Sequence, residues 1–562
     1  MVNRMIRRML SLGSLLLAVA FVVGACGGDE EKTPSQPTAT ARPVQLTATP
    51  QVTQTRATPT PAPNKFGGIV RMGKPCEIKT LEPLYADACM QNMSWPLYDP
   101  LISRGDTQAT LEEFQPGLAK SWDVSSDGMQ ITLHLRDDVK WHDGQAFTSA
   151  DAEYTFDAMN NPPQGHVSQY KARLADVTSV TAPDKNTLVI KTKRPTASIV
   201  ESISIVRMVP KHRYPAERPF INKALGTGPF ILDQLSADGS TLKERKNPNY
   251  WRPNEPKLDG LEFTFLSDPA IQLSSLRTKR IDGWMSDFSK GQVTSLKEEL
   301  RLQVKIFPKL QYAVVWLRLG LGKPWDDIRV RQAMSLAIDR PGHIKAAWLD
   351  TDETSQFALP GPWALPQSEV QQQPGWGADY AANVTKAKQL LKDAGFANGF
   401  NVEIKFPLTG NWEPSSQTIQ QMFRQIGINM TLRGQEIAAT LAALRSGEFE
   451  LINYPNVPAL SDPNDILFPF TTANSYVKSG YSNTNVDEAY QKAVGTFDQA
   501  ERKRLINSIE RELFASMPAL PTVSRSGTMG SWDYVKDFAP HGLWFHSGTW
   551  QFRNMWIDQS LK

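Results

Sequence analysis

Residues 115–156, QPGLAKSWDVSSDGMQITLHLRDDVKWHDGQAFTSADAEYTF, predict a strand between two turns, followed by a helix. Residues 129–135 alternate apolar and polar side chains, which is the two-residue period of a half-buried strand. Asp127-Gly128 and Asp143-Gly144 are turn signals, because glycine tolerates the positive φ that such turns need. Thr148-Ser149-Ala150-Asp151 predicts the N-terminal cap of the helix. The stretch therefore predicts one compact unit of strand, turn and capped helix.

The same residues form a composite motif of PGLA, a tryptophan, an Asp-Gly turn, a strand ending His134-Leu135-Arg136, and Trp141-His142-Asp143-Gly144. This order resembles the signature of the family 5 extracytoplasmic solute-binding proteins, the peptide, nickel and oligosaccharide receptors of ABC importers. Further segments between about residues 66 and 540 resemble motifs of that family in the same order: Gly226-Thr227-Gly228-Pro229-Phe230, Asn247-Pro248-Asn249-Tyr250-Trp251, and residues 256–263, 324–340 and 386–396.

The resemblance implies an α/β fold of the two-lobed periplasmic-binding-protein type, with a hinge and an extra subdomain inserted in the first lobe. A chain of 562 residues is also too long for one ordinary core, which independently predicts two or more lobes. We expect residues 66–308 to form lobe I, with the inserted subdomain at about 100–220. Residues 309–525 are expected to form lobe II, and residues 526–562 to return to lobe I.

The N-terminal residues have the features of an export signal. Residues 1–25 combine an arginine-rich start with an apolar run and small residues before Cys26, as in a signal peptide. A transmembrane helix is the alternative, but the apolar run is shorter than the roughly 20 residues that span a bilayer. Cys26 follows the small residues as in a bacterial lipobox, so we expect its sulfur to be lipidated. Residues 26–65 are rich in threonine and proline and predict a disordered linker. The protein is thus expected on the outer face of the bacterial cell membrane, held by its lipid.

Two further cysteines, Cys76 and Cys89, would lie on the oxidising side of that membrane, where disulfides persist. A disulfide between them and a pair of buried thiols are both compatible with this position. A metal site would need more ligands nearby, and no histidine lies in that region.

Charge and motifs exclude several classes of function. The chain has 61 basic and 58 acidic residues, a balance that argues against a nucleic-acid partner. The sequence contains no G-x-S-x-G, H-E-x-x-H or P-loop motif. His541 and His546 could bind a metal or make ordinary hydrogen bonds, and we predict no metal and no cofactor. The sequence therefore predicts binding without catalysis.

The resemblance implies a monomeric receptor that captures a peptide, oligosaccharide or similar organic solute between closing lobes. The receptor would deliver this solute to the permease and ATPase subunits of an ABC importer. A ligand-sensing receptor of the same fold, coupled to a membrane signalling protein, is the alternative. Neighbouring genes for permeases and ATPases would distinguish the two.

Peptide receptors of this family carry an aspartate three residues before the (D/E)P of a second-lobe loop, and it binds the peptide's α-amino group. Here the loop is residues 454–463, and the alignment places Ala459 at that position, although a short slip would bring Asp462 there. Without that carboxylate, a sugar or another organic solute is favoured over a peptide as the ligand.

Aromatic side chains are candidates for the wall of the binding cleft, and the alternative is that they lie in the protein core. Asparagines are candidates for polar contacts, with turns and caps as alternatives. The candidates are Trp284, Trp316, Trp412, Tyr454, Trp544, Asn92 and Asn456.

Overall fold

The computed structural model describes residues 64–85, 93–105, 113–164, 166, 168, 170–171, 173–358, 361–458, 460–474, 476–540 and 549–562. Its strands are β1 Ile69–Lys74, β2 Ile102–Arg104, β3 Phe114–Pro116, β4 Ala119–Val124, β5 Gln130–Leu135, β6 Val177–Asp184, β7 Thr187–Thr192, β8 Phe230–Leu235, β9 Thr241–Lys246, β10 Gly260–Phe265, β11 Gly283–Trp284, β12 Leu302–Leu317, β13 Glu353–Thr354, β14 Phe400–Pro407, β15 Ile428–Gln435, β16 Leu451–Asn456, β17 Ala519–Trp532, β18 Val535–Lys536 and β19 Trp556–Ile557.

The α-helices are α1 Ser149–Asn160, α2 Ile199–Ser204, α3 Tyr214–Glu217, α4 Pro269–Arg277, α5 Lys290–Lys297, α6 Ile328–Leu336, α7 Arg340–Ala347, α8 Gln367–Val370, α9 Tyr380–Asp393, α10 Trp412–Arg424, α11 Ile437–Ser446, α12 Pro463–Leu467, α13 Thr484–Gly495, α14 Gln499–Ser516 and α15 Thr549–Asn554. Short 3₁₀ turns occupy Trp95–Leu97, Pro324–Asp326 and Phe468–Phe470. Within these described ranges, no helix is long and apolar enough to cross a membrane.

One 11-stranded mixed sheet continues through both halves of the fold, in the order β15-β14-β16-β12-β17-β11-β1-β10-β9-β8, with β13 paired to β17. The strands from β11 to β8 form lobe I, and β16, β14 and β15 form lobe II. Each lobe has its own large apolar core, and Trp141 lies in the first and Trp325 in the second. The predicted two-lobed α/β fold is confirmed.

The paired strands β12 and β17 pass between the two lobes. Residues 302–308 of β12 pair with residues 526–532 of β17, and the register then breaks between Pro308 and Tyr312. Beyond the break, β12 pairs with the part of β17 that belongs to lobe II. We call this stretch of paired strands the crossover, and the lobe boundaries expected at 308/309 and 525/526 stay a prediction.

Residues 115–156 fold as predicted, with a strand and a capped helix. Strand β5 lies inside a four-stranded sheet, β4-β5-β7-β6, and its apolar side chains join the core of lobe I. Thr148 and Asp151 form a reciprocal capping box at the start of α1. His142 anchors this unit, because its Nδ1 accepts from the Gly226 N–H at 3.3 Å and its Nε2 donates to the Gly228 carbonyl at 3.1 Å. Burial lowers the pKa of His142 to about 4, so the imidazole is neutral.

Candidate binding cleft

A cluster of charged side chains lies at the crossover of β12 and β17. The Oδ2 atom of Asp287 accepts from Lys309 Nζ at 2.6 Å and from Arg525 Nη2 at 3.2 Å. Its Oδ1 accepts from the backbone N–H of Thr528 at 3.1 Å. Burial favours a higher pKa for Asp287, but the two cations outweigh it and hold the pKa below its ordinary value. The cluster therefore carries two cations and one ionised carboxylate.

Aromatic rings surround the guanidinium of Arg525. Its central carbon lies 5.1 Å from the ring centroid of Trp348 and 4.9 Å from that of Trp412. The two indoles meet edge to face at 5.2 Å, and Tyr454 stacks on Trp412 at 6.1 Å with an interplanar angle of 20°. Cations are attracted to such ring faces, and flat apolar groups pack against them. Arg525, Trp348, Trp412 and Tyr454, which we call the aromatic box, combine a positive charge with flat apolar rings. Trp348 is 1% and Trp412 6% exposed, and both belong to one small buried cluster.

A buried polar network holds the aromatic box from behind. Trp348 Nε1 donates to His343 Nε2 at 3.0 Å, and the Ser415 hydroxyl lies 3.1 Å from the same nitrogen. Asn453 Nδ2 donates to Ser415 Oγ at 2.9 Å. Burial lowers the pKa of His343 to about 3, and the positive charge of Arg340 lowers it further in the same direction. A neutral His343 thus fixes the orientation of Trp348.

Lobe II contacts lobe I through the loop that follows β16. Glu201 Oε1 on α2 accepts from the N–H and the hydroxyl of Ser461, both at 2.7 Å, and forms an ion pair with Arg104. Leu460 in the same loop joins the core of lobe I. The Ala197 N–H also donates to the Val494 carbonyl at 2.9 Å. These contacts hold the two lobes together beside the crossover.

The structure brings only some of the predicted residues to the aromatic box, namely Trp412 and Tyr454. Trp284 is 1% exposed and packs near Phe288 in lobe I. Trp316 is also 1% exposed, and its Nε1 donates to the Tyr454 carbonyl at 3.2 Å. The burial of Trp284 and Trp316 agrees with a place in the protein core, which was the alternative to a place in the cleft wall.

The side-chain amide of Asn456 makes hydrogen bonds that belong to the fold. Its Nδ2 donates to the Tyr312 hydroxyl at 3.1 Å and to the Ile466 carbonyl at 2.8 Å. Its side chain is almost fully buried at 1% exposure. The amide thereby ties β16 to β12 and to helix α12.

The carboxylate of Asp462 is fully engaged inside lobe II. Its Oδ1 caps α12 by accepting from the Asn464 N–H at 2.9 Å, and both oxygens accept from Arg502 Nη2 at 2.6 Å. Both side chains are less than 10% exposed. Asp462 is therefore committed to the fold in this conformation.

Several predicted residues lie outside the described part of the chain: Cys26, Cys89, Asn92, Ala459, His541, Trp544 and His546. Cys76 is disulfide-bonded. Because its partner lies outside the described residues, the pairing with Cys89 stays a prediction. Within the described ranges, no group of three His, Cys, Asp or Glu side chains could hold a metal ion.

Sequence reasoning missed Asp287, Lys309, Trp348 and Arg525. They lie in none of the family motifs, and Asp287 and Arg525 are 238 positions apart in the sequence. The sequence around these four residues gave only a weak indication of a site. Lys309 follows a proline in an apolar strand, and Arg525 interrupts the apolar end of the strand that begins at Ala519.

Comparison with known proteins agrees with this architecture. Residues 113–477 match the bacterial extracellular solute-binding proteins, family 5 Middle. A Brucella ovis protein, whose name refers to ABC-transporter peptide binding, is 30% identical over 352 residues, covering 60% of this chain and 62% of that protein. The match thus spans less than two thirds of that relative. The dipeptide-binding protein of Escherichia coli is 25% identical over 460 residues, covering 76% of this chain and 83% of the relative.

A solved structure shares the fold. The periplasmic binding protein DppA of Helicobacter pylori, in complex with the peptide STSA, superimposes with a TM-score of 0.76 at 22% identity, covering 88% of this chain and 99% of that one. The family match includes more than half of the chain and contains the motif at residues 115–156. The chain therefore belongs to the bacterial extracellular solute-binding proteins of family 5.

Proposed function

We propose that this protein is the extracytoplasmic solute-binding receptor of an ABC importer and binds a peptide or a related amino-acid derivative between its two lobes. The observation that carries the proposal is the aromatic box beside the charge cluster, at the point where paired strands join the lobes. The names of the Brucella and Escherichia relatives, which refer to peptides, support the same class of solute.

The chemistry of the cluster suits a zwitterionic solute. Arg525 can bind a carboxylate, because a guanidinium forms charge-assisted hydrogen bonds with that group. Asp287 carries the carboxylate of the cluster and can bind an ammonium group. Trp412 and Tyr454 pack against the apolar part of the solute. Sugars lack both charges, so the described cluster favours a peptide over an oligosaccharide.

Binding would select the closed arrangement of the lobes. A solute that touches Tyr454 of lobe II and the charge cluster at the crossover bridges both sides of the hinge, so its binding free energy favours closure. Glu201 and Ser461 then add the direct contact between the lobes. The permease and ATPase subunits would recognise this closed form and accept the solute.

The receptor would be tethered to the outer face of the membrane through lipid on Cys26. Substitution Cys26→Ala should release the protein from washed membranes into the soluble fraction. Retention of the variant on membranes would contradict lipid anchoring without affecting the proposal on solute binding.

Native mass spectrometry of the purified protein tests the binding function. We expect a bound species of a few hundred daltons that denaturation releases and that fragments as a peptide or amino-acid derivative. Arg525→Gln should reduce the bound fraction, because loss of a charge-assisted hydrogen bond costs about 1.5–3 kcal/mol, roughly a 10- to 100-fold loss of affinity. Arg424→Gln, at an exposed site on α10, is the matched control and should leave the bound fraction unchanged. Equal bound fractions in the two variants, or a bound sugar, would contradict the proposal.

A further inference from the structure

A small polar pocket lies inside lobe I, apart from the aromatic box. Its lining includes four arginines, Arg104, Arg207, Arg252 and Arg553, and a single carboxylate, that of Asp99. A water-sized sphere fits inside the pocket, and its centre can move within about 10 Å³. Space of this size is enough for one small species such as a water molecule or a single-atom ion.

Three of the five charged groups have partners elsewhere. Arg104 forms its ion pair with Glu201, and Arg553 Nε lies 3.1 Å from Glu255 Oε2. Asp99 is almost fully buried, and its carboxylate accepts from neutral donors: Trp251 Nε1 at 2.9 Å, Tyr250 OH at 3.1 Å and Thr227 Oγ1 at 3.2 Å.

Arg207 is a buried cation that forms no ion pair among the described residues, and the carboxylate of Asp99, which lines the same pocket, is the acidic group whose charge acts on it. Arg207 is 2% exposed, and its guanidinium lies 4.5 Å from the ring centroid of Trp95. Its Nη1 donates to the backbone carbonyls of Ser204 and Ile205 at 3.2 and 3.4 Å, while its buried Nε has no hydrogen-bond partner. Burial lowers the pKa of Arg207 to about 10, which leaves it positively charged at neutral pH.

Arg252 also lines the pocket, but it is half-buried where Arg207 is buried. Its Nη2 donates to the Pro116 carbonyl at 2.8 Å, and its guanidinium lies 4.4 Å from the ring centroid of Trp251. The Nε of Arg252 is buried and has no partner. Two cations with unused N–H donors therefore line one small pocket.

We propose that this pocket binds one small monovalent anion of the halide type, chloride under physiological conditions, through Arg207 and Arg252. Four arginines and one carboxylate line the pocket, so an anion there would add opposite charge, whereas a water molecule would satisfy the N–H donors without doing so. A spherical anion can accept from several N–H groups at once.

Crystals of the full protein grown with sodium bromide in place of sodium chloride test the assignment directly. Bromide scatters anomalously, and we expect an anomalous difference peak in the pocket, within roughly 3.5 Å of a guanidinium nitrogen of Arg207. A pocket that contains only water, without an anomalous peak, would overturn the proposal.

Thermal unfolding provides a second test in solution. Replacing sodium gluconate by sodium chloride at equal ionic strength should raise the melting temperature by roughly 2–4 °C, since an anion that binds only the folded state stabilises it. Arg207→Gln should abolish this difference, whereas Arg280→Gln, at an exposed site of lobe I, should preserve it. Equal melting temperatures of the wild type in the two salts would refute the proposal. If Arg207→Gln does not fold, the bromide crystal and the comparison of wild-type melting temperatures in the two salts still test the proposal.

Discussion

Protonation of His343 should make the protein sensitive to mild acid. Its Nε2 accepts from Trp348, and its pKa of about 3 in the folded protein compares with an ordinary value of about 6.5 in the unfolded chain. Because the folded-state pKa is depressed, the stabilisation from neutral His343 is fully present above pH 6.5. It is lost progressively as the pH falls toward 3, since only the unfolded chain takes up the proton.

The magnitude follows from the two pKa values. Between pH 7 and pH 5 the unfolded His343 gains most of one proton and the folded one gains almost none, which removes about 2 kcal/mol of stability. His343→Gln lacks this titration, and its amide oxygen can still accept from Trp348. Comparing the two proteins cancels the other titrating groups, including Glu201 and Glu510, whose pKa values burial raises to about 7.

Urea unfolding of both proteins at pH 7, 6 and 5 measures the difference. The wild type should lose about 2 kcal/mol more unfolding free energy than His343→Gln between pH 7 and pH 5. Matching circular dichroism at pH 7 is the control for a native fold of the variant. Parallel stability curves over this pH range would refute the role assigned to neutral His343.

Three further substitutions test how the fold is held together. Gly226→Ala would place its Cβ 1.8 Å from the Leu97 carbonyl oxygen and should lower the free energy of urea unfolding by at least about 3 kcal/mol. Gly291 has open space around it, so Gly291→Ala should be nearly neutral. Equal effects of the two substitutions would contradict the close approach at Gly226. Arg502→Ala should cost about 3–5 kcal/mol by leaving Asp462 buried and unpaired, and a loss below 1 kcal/mol would show that this pair is unimportant. Trp316→Ala should cost about 3–5 kcal/mol because it empties a core position, and an unchanged denaturation midpoint would argue against that burial.

Local elements were predictable because their signals are local. The period of residues 129–135 gave strand β5, and the Thr148 cap gave the start of α1 within one residue. Helix α10 begins at Trp412, two residues before a proline. Pro414 lies in its first turn, where the missing N–H breaks no hydrogen bond, so the proline does not delay the helix.

The site was predictable only in part because it is assembled by the topology. Trp412 and Tyr454 stack on each other, whereas Trp284 and Trp316 have the same chemistry and lie elsewhere in the cores. Which face of a strand or helix turns toward the crossover depends on packing between lobes, and composition does not encode it. The charges of Lys309 and Arg525 meet Asp287 only because β12 and β17 pair across the crossover.

The most direct test of solute binding in the aromatic box is a crystal structure of the full protein with the solute that copurifies with it. We predict continuous density for that solute against Trp412 and Tyr454, with a carboxylate within about 3 Å of the Arg525 guanidinium. Density for the solute elsewhere, with the aromatic box filled by water, would contradict the account.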